Sequence, residues 1–256
     1  MELITSIDDV YGESIDAQNL PKHVWQAVLA IEDRRFFEHL GVDPIGIARA
    51  LYTNWISGGT RQGASTITQQ TAKNIFLTRA KTMKRKIQEL MLSFWMEMKF
   101  SKWQILNMYL NRISIAREKK GLNNAALYYF NLPAKKLSIA QAAMLAATLK
   151  APTTYSPILH PQVNYKRRLL VLQAMQDEGY ITAKQAQEAI KYEYKKPINS
   201  NKGWRYFVDF AMDELGSQIG DVKQDINVYT TLDLEMQNSS ENILRKTLAS
   251  KGKEAK

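Results

Sequence analysis

Apolar residues recur at helical spacing along most of the chain, and polar caps delimit the stretches. Val24, Ala27, Val28 and Ile31 share one face between Pro21, near a start that Asn19 can cap, and the stop at Gly41. This predicts a first helix over about 21–39. Asp43 can cap a second helix with Pro44 in its first turn. Ala48, Leu51 and Trp55 line one side of it, Ile45, Ile47 and Ile56 add apolar surface, and Gly58–Gly59 ends it. Arg49 is the one charge in residues 44–57, so this helix serves equally as core or as an exposed flap that dips into a membrane surface. Thr66 with Gln69 makes a capping box that opens a third helix. Thr82 opens a fourth, whose Ile87, Leu90, Met91, Phe94 and Met98 read as a core-facing stripe.

Ser101 opens a fifth helix carrying Ile105, Leu106, Tyr109 and Leu110 and ending at Asn111. Residues 112–120, RISIAREKK, read as a basic connector, and Gly121–Phe130 as a small-residue helix closed by Pro133. Ser138 with Gln141 opens an Ala-rich helix to Leu149, expected at the centre. The three prolines of 151–162 mark a loop. The next helix runs to Glu178 with Gly179 as its stop, and Thr182 with Gln185 opens another. Residues 195–203, KKPINSNKG, are a linker candidate. Beyond them a helix is expected near 204–215, a strand at 225–231 and a helix opened by Asp233. The fold class is mainly α, with a short α/β C-terminal segment.

Composition narrows the chemistry. The 256 residues can bury one large core, or a domain with a small appendage. Lys+Arg of 35 against Asp+Glu of 25 gives +10, which suits an anionic partner such as nucleic acid, acidic headgroups or a phosphorylated substrate. The basic residues are dispersed and form no nucleic-acid motif. The absence of Cys excludes a disulfide framework and a thiolate metal site. No apolar run reaches the roughly 18 residues needed to span a bilayer, and no signal peptide stands at the start. The opening MELITSIDDVYGESI reads as a cut into something longer, so a membrane anchor is expected outside this chain.

Three polar clusters stand out. Glu32 and Asp33 end the apolar run of the first helix, followed by Phe36 and His39. Glu32 lies four residues after Val28 and borders the apolar face, where desolvation raises a carboxyl pKa and makes it a proton acceptor near neutral pH. An ordinary amphipathic helix with bordering charges accounts for the same residues. Ser65, Thr66, Thr68, Gln69 and Gln70, with Lys73 a turn later, form a polar helix start of the kind that cradles phosphate or an oxyanion. Arg85 and Glu89 stand at i, i+4 with Lys86 beside them. They make either a surface ion pair or a carboxylate held by cations near a bound anion.

The stretches EDRRFFEHLG, GASTITQQ, RKIQE (85–89) and KWQILNMYLN (102–111), in this order and spacing, resemble the peptidoglycan glycosyltransferase domain, glycosyltransferase family 51, of bifunctional class A penicillin-binding proteins. The resemblance covers about residues 10–190. KAPTTYSP and RRLLVLQAMQDEGYIT also look like this family. WRYFVDFAMDEL and INVYTTLDLEMQ resemble the segment joining that domain to a transpeptidase, and no Ser-x-x-Lys nucleophile motif occurs here. The implied organisation is a lead-in at 1–20 after a missing anchor, a glycosyltransferase domain at 21–195, and a linker with the start of a truncated transpeptidase region at 196–256. The implied fold is lysozyme-like, with a large head and a small membrane-facing jaw near residues 43–62.

The resemblance implies polymerisation of lipid II into glycan strands for cell wall synthesis. The acceptor GlcNAc 4-hydroxyl attacks MurNAc C1, and undecaprenyl pyrophosphate leaves with inversion. Glu32 would be the general base, with Asp33, Phe36 and His39 shaping its pocket. Ser65, Thr66, Gln69, Gln70 and Lys73 would line the donor side. Lys73, Arg85 and Lys86 would neutralise the pyrophosphate, and Glu89 would be a second essential carboxylate that orients those cations or a divalent metal. No cofactor is required by this reading, although Mg or Mn at the pyrophosphate is compatible with it. The implied partners are lipid II, the growing glycan strand, the membrane surface and other cell wall synthesis proteins, with no nucleic acid. The implied place is the extracytoplasmic face of the plasma membrane, and the family's phosphoglycolipid inhibitor moenomycin should compete for the donor site. One departure is the segment 114–120, SIAREKK, where the family is Gly-rich. Its backbone should differ, because Gly alone readily accepts φ > 0. A lysozyme-like hydrolase and a non-catalytic lipid-binding module are the alternatives. The hydrolase leaves Lys73, Arg85 and Lys86 without a task.

Overall fold

The computed structural model describes residues 14–56, 65–78, 82–116, 119–195, 207, 210–211, 214–215 and 228–254. The chain divides into two compact units, Met1–Pro197 and Ile198–Lys256. The first unit is helical: α1 (Lys22–Glu32), α2 (Pro44–Ile56), α3 (Ile67–Phe76), α4 (Met83–Lys99), α5 (Lys102–Arg112), α6 (Leu122–Phe130), α7 (Ile139–Thr148), α8 (Pro161–Asp177) and α9 (Ala183–Ile190). A short antiparallel ribbon, β1 (Ser114–Ala116) and β2 (Lys119–Lys120), joins α5 to α6. In the second unit, α10 (Leu234–Glu254) starts where Asp233 accepts from the Glu235 and Met236 N–H groups. The predicted linker lies mostly outside the described residues, as do the first three residues of the predicted strand. Residues 228–231, its described part, carry no strand. No helix among the described residues is long and apolar enough to cross a membrane.

The Ala-rich α7 is central, as its composition suggests. Its residues Ala140 and Ala142 to Thr148 are buried, and α1 and α8 pack on it. Small side chains let those helices approach closely, and Leu29, Leu145, Val171, Leu172 and Met175 fill the space between them. A second layer forms where α3 packs on α4 and α5. The capping boxes at Ser101/Gln104, Ser138/Gln141 and Thr182/Gln185 are all formed.

Several expectations need correction. Helix α1 ends at Glu32, not near 39, because Asp33 leaves helical geometry (φ −161°, ψ 78°) and spends its carboxylate on other elements. Asn19 does not cap α1. Pro21 occupies that position without a side-chain bond, and the Asn19 amide donates to Asp16 instead. The basic connector contains the β1–β2 ribbon. The stripe on α4 does not face the core: Met98 is 76% exposed and Met91 67%, with Ile87, Leu90 and Phe94 also exposed. Its buried residues are Glu89, Ser93 and Met96. On α2, Ile45, Leu51, Tyr52, Trp55 (81% exposed) and Ile56 are exposed, while Ala50 is buried, so the described part of this helix is the apolar flap rather than core.

Candidate active site

The site is organised by α3, a polar helix whose Thr68, Gln69, Gln70 and Thr71 side chains are all hydrogen-bonded. Thr66 accepts from the Gln69 N–H as N-cap while its hydroxyl donates to the Gly41 carbonyl (2.7 Å). The Ile67 N–H donates to Asp33 Oδ2 (2.8 Å), and the Thr68 hydroxyl to Glu97 Oε1 (2.6 Å). The start of α3 is therefore closed by protein groups, and two N–H donors of the expected anion cradle are spent. The box expected at Thr66 forms by half, since Gln69 Oε1 accepts from Lys86 Nζ (3.2 Å) rather than returning to the cap.

Glu32, the last residue of α1, is half-buried and accepts a hydrogen bond from Gln70 Nε2 (3.0 Å). Burial raises its pKa above the ordinary carboxylate value. The Gln70 bond pulls the other way, as does the charge of Arg167, while Asp33 pushes up and Lys150 down. Burial wins, so Glu32 is a better proton acceptor than a free carboxylate. Behind it, the Tyr109 hydroxyl donates to Gln70 Oε1 (3.4 Å).

Asp33, Phe36 and His39 sit behind Glu32, all buried. His39 Nε2 faces both Asp33 oxygens at 3.0 Å, and the Gly41 N–H donates to His39 Nδ1 (3.1 Å). An Nδ1 that accepts leaves the ring proton on Nε2, so the network assigns the neutral Nε2–H tautomer and a hydrogen bond to Asp33 rather than an ion pair. Lys102 Nζ lies 4.6 Å over the fully buried Phe36 ring and pairs with Glu97 (2.8 Å) and the His39 carbonyl. These residues tie the 33–41 turn to α3, α4 and α5. They shape the pocket from within, with Phe36 fully buried and Asp33 and His39 nearly so.

On the other side of α3, Glu89 is 3% exposed. One oxygen accepts from Arg85 (2.8 Å) and the other from Lys86 (2.7 Å), and Lys86 also reaches Ser65 Oγ (3.1 Å). This is a buried carboxylate holding two cations, not a surface pair. Among the described residues there is no group of three or more metal-ligating carboxylates or histidines around it. Lys73, half-buried in the last turn of α3, follows Gln69 by four residues and so lies one turn along the same side, without an ion pair among the described residues. Successive residues therefore serve different clusters, Gln69 the cations and Gln70 the carboxylate. The pattern did not single out Tyr109, Glu97, Lys102, Lys150 or Arg167 as site residues. Lys150 and Arg167 do open the two later stretches, KAPTTYSP and RRLLVLQAMQDEGYIT, that carry the resemblance.

A family model described as "Transglycosylase" matches residues 1–176. The chain belongs to the transglycosylase family. It is 40% identical over 237 residues to penicillin-binding protein 1A of Aquifex aeolicus (strain VF5), covering 91% of this chain and 33% of that protein. It is 47% identical over 174 residues to penicillin-binding protein 1F of Bacillus subtilis (strain 168), covering 68% of this chain and 24% of that one. The chain thus spans a third or less of the length of these curated relatives. A crystal structure of penicillin-binding protein 1A from Haemophilus influenzae aligns with a TM-score of 0.47 at 18% identity, covering 82% of this chain and 21% of that chain.

Proposed function

We propose that this transglycosylase-family chain is a peptidoglycan glycosyltransferase that polymerises lipid II, with Glu32 as the general base. The observation that carries the reading is the pairing across α3 of a burial-perturbed carboxylate on one side with a preorganised cation cluster on the other. The chemistry needs this division. Glu32 takes the proton from the acceptor GlcNAc 4-hydroxyl as its oxygen bonds to MurNAc C1. The bond from C1 to undecaprenyl pyrophosphate breaks with inversion, and negative charge grows on the leaving group. Lys73, Arg85 and Lys86 meet that charge, with Glu89 holding the last two in place so that little reorganisation is needed at the moment of transfer. A hydrolase needs no such cluster, since a polysaccharide substrate has no pyrophosphate.

The substrate's lipid tail calls for a membrane-facing surface. The exposed apolar faces of α2 and α4 support this reading, in which the chain works at the extracytoplasmic membrane surface beside lipid II and the growing strand. The deciding experiment is lipid II polymerisation in detergent with products resolved on a gel. Glycan ladders should form with the parent chain and not with Glu32→Gln. Ladders of comparable yield from the variant would remove Glu32 as the base, and soluble muropeptides released from purified cell wall would favour a hydrolase instead.

A further inference from the structure

We propose that Tyr109 is a positioning residue for Glu32, acting through the Gln70 side chain, whose orientation it fixes so that a donor and not an acceptor faces the carboxylate. The inference rests on the reading of Glu32 as the base only where it concerns turnover.

Three helices meet here. Glu32 ends α1, Gln70 lies in the first turn of α3, and Tyr109 is in α5. A glutamine amide presents an oxygen on one side and an NH2 on the other, and its neighbours decide which way round it sits. Tyr109 is fully buried, and among the described residues its hydroxyl has one partner, Gln70 Oε1. A buried hydroxyl needs a partner, and by donating to Oε1 it turns Nε2 toward Glu32. In the flipped orientation, Oε1 would meet an ionised carboxylate, two acceptors with no proton between them.

The hydroxyl can also accept, which gives the pair a second matched state. When Glu32 is protonated, its O–H can donate to Oε1 of a flipped amide, whose Nε2 then donates to the Tyr109 oxygen. One tyrosine thus satisfies the amide on both sides of the proton transfer. Without the hydroxyl the amide loses a partner in both states, but in the ionised state that partner also strengthens the charge-assisted Nε2–H bond to the carboxylate, so the larger loss falls there and the balance moves toward protonated Glu32. The other groups acting on Glu32 are Asp33, Arg167 and Lys150, and none of them is removed by a change at Tyr109.

The test is a carboxyl 13C NMR titration of Glu32, assigned by the signal lost in Glu32→Gln, on the full chain and on Tyr109→Phe. The Glu32 midpoint should rise by about half a pH unit in Tyr109→Phe, the scale of a hydrogen bond made more weakly on average. It should rise at least as far in Gln70→Leu, and Tyr109→Phe should add nothing in the Gln70→Leu background. The acid limb of kcat/KM for lipid II should move with the midpoint. A midpoint unmoved by Tyr109→Phe overturns the inference, as does an equal shift in the Gln70→Leu background. Should Tyr109→Phe not fold, an unmoved midpoint in Gln70→Leu also overturns it. A midpoint that moves while the acid limb does not supports the inference and sinks the base assignment, which separates the two.

Discussion

Replacing Asp33 by asparagine tests whether the 33–41 turn is locked onto α3 by a directional chain of hydrogen bonds. The Gly41 N–H donates to His39 Nδ1, His39 Nε2–H donates to Asp33, and the Ile67 N–H donates to Asp33 Oδ2. A carboxylate accepts both of its donors, whereas an amide offers one acceptor and one donor group of similar shape. If the oxygen of the introduced amide takes the Ile67 N–H, its NH2 faces Nε2–H, and one donor is left without an acceptor. Moving the ring proton to Nδ1 cures that clash and orphans the Gly41 N–H instead. Either arrangement leaves a buried donor unpaired, which costs about 1–3 kcal/mol. Removing a buried charge works in the opposite direction, but that charge is already met by two donors, so the orphaned group sets the sign. Urea unfolding of Asp33→Asn followed by tryptophan fluorescence should show a stability loss of about 1–3 kcal/mol with an unchanged m-value. Long-range 15N–1H correlation should show the parent His39 in the Nε2–H form. A loss below roughly 0.5 kcal/mol, the level of an ordinary surface change, with the tautomer unaltered would refute the chain of donors.

Glu32→Gln should be at least as stable as the parent at neutral pH. The folded pKa of Glu32 is raised, so ionising it disfavours the fold as pH climbs through the ordinary value of 4.5 toward the raised one, and the variant's advantage should vanish below that window; an advantage that grows with acidity would contradict the burial argument. Gly121→Ala should cost about 1–3 kcal/mol of stability, because φ is +87° there and a Cβ would sit 3.0 Å from the Asn111 carbonyl oxygen; an unshifted thermal midpoint would show that the ribbon exit can relax. Glu89→Ala should lower kcat by at least about tenfold while binding of a pyrophosphate-lipid probe weakens little, since both cations remain but lose their fixed positions; weakened binding with intact kcat would reverse that assignment.

The sequence was most readable where structure is local. Capping boxes at Ser138 and Thr182 depend on residues three apart and formed as expected, and Ser101 caps its helix as expected. The Thr66 box formed by half because a tertiary partner, Lys86, competes for the Gln69 oxygen. Periodicity identified the apolar stripe of α4 but could not say what medium it faces. The opposite face buries Glu89 and Ser93, which only the fold reveals. The end of α1 was obscured because Phe36 and His39 stand at helical spacing from Glu32. What stops the helix is the Asp33 carboxylate, engaged with the Ile67 N–H thirty-four residues later. Arg167 and Lys150 reach Glu32 from α8 and from the segment after α7, separations over which no spacing rule operates.

The inverted α4 and the polar α3 have one physical cause. A site that handles both a proton and a pyrophosphate, as proposed above, needs charged groups held in fixed positions, and fixed charges must be partly withdrawn from water and paired. Burying Glu89, Glu97 and Asp33 is tolerable because each carboxylate meets at least two donors. The helices that carry those groups turn their polar sides inward, which leaves the apolar side of α4 facing outward. A soluble enzyme would be penalised for that exposed surface, whereas one that draws its substrate from a bilayer can use it. Along α3 the outcome is a sorted row. Gln70 serves Glu32, Gln69 serves Lys86, and Lys73 keeps a charge that no described carboxylate neutralises. Two cations and one carboxylate in the Glu89 cluster leave a net positive charge, and Lys73 adds to it where a leaving pyrophosphate would emerge.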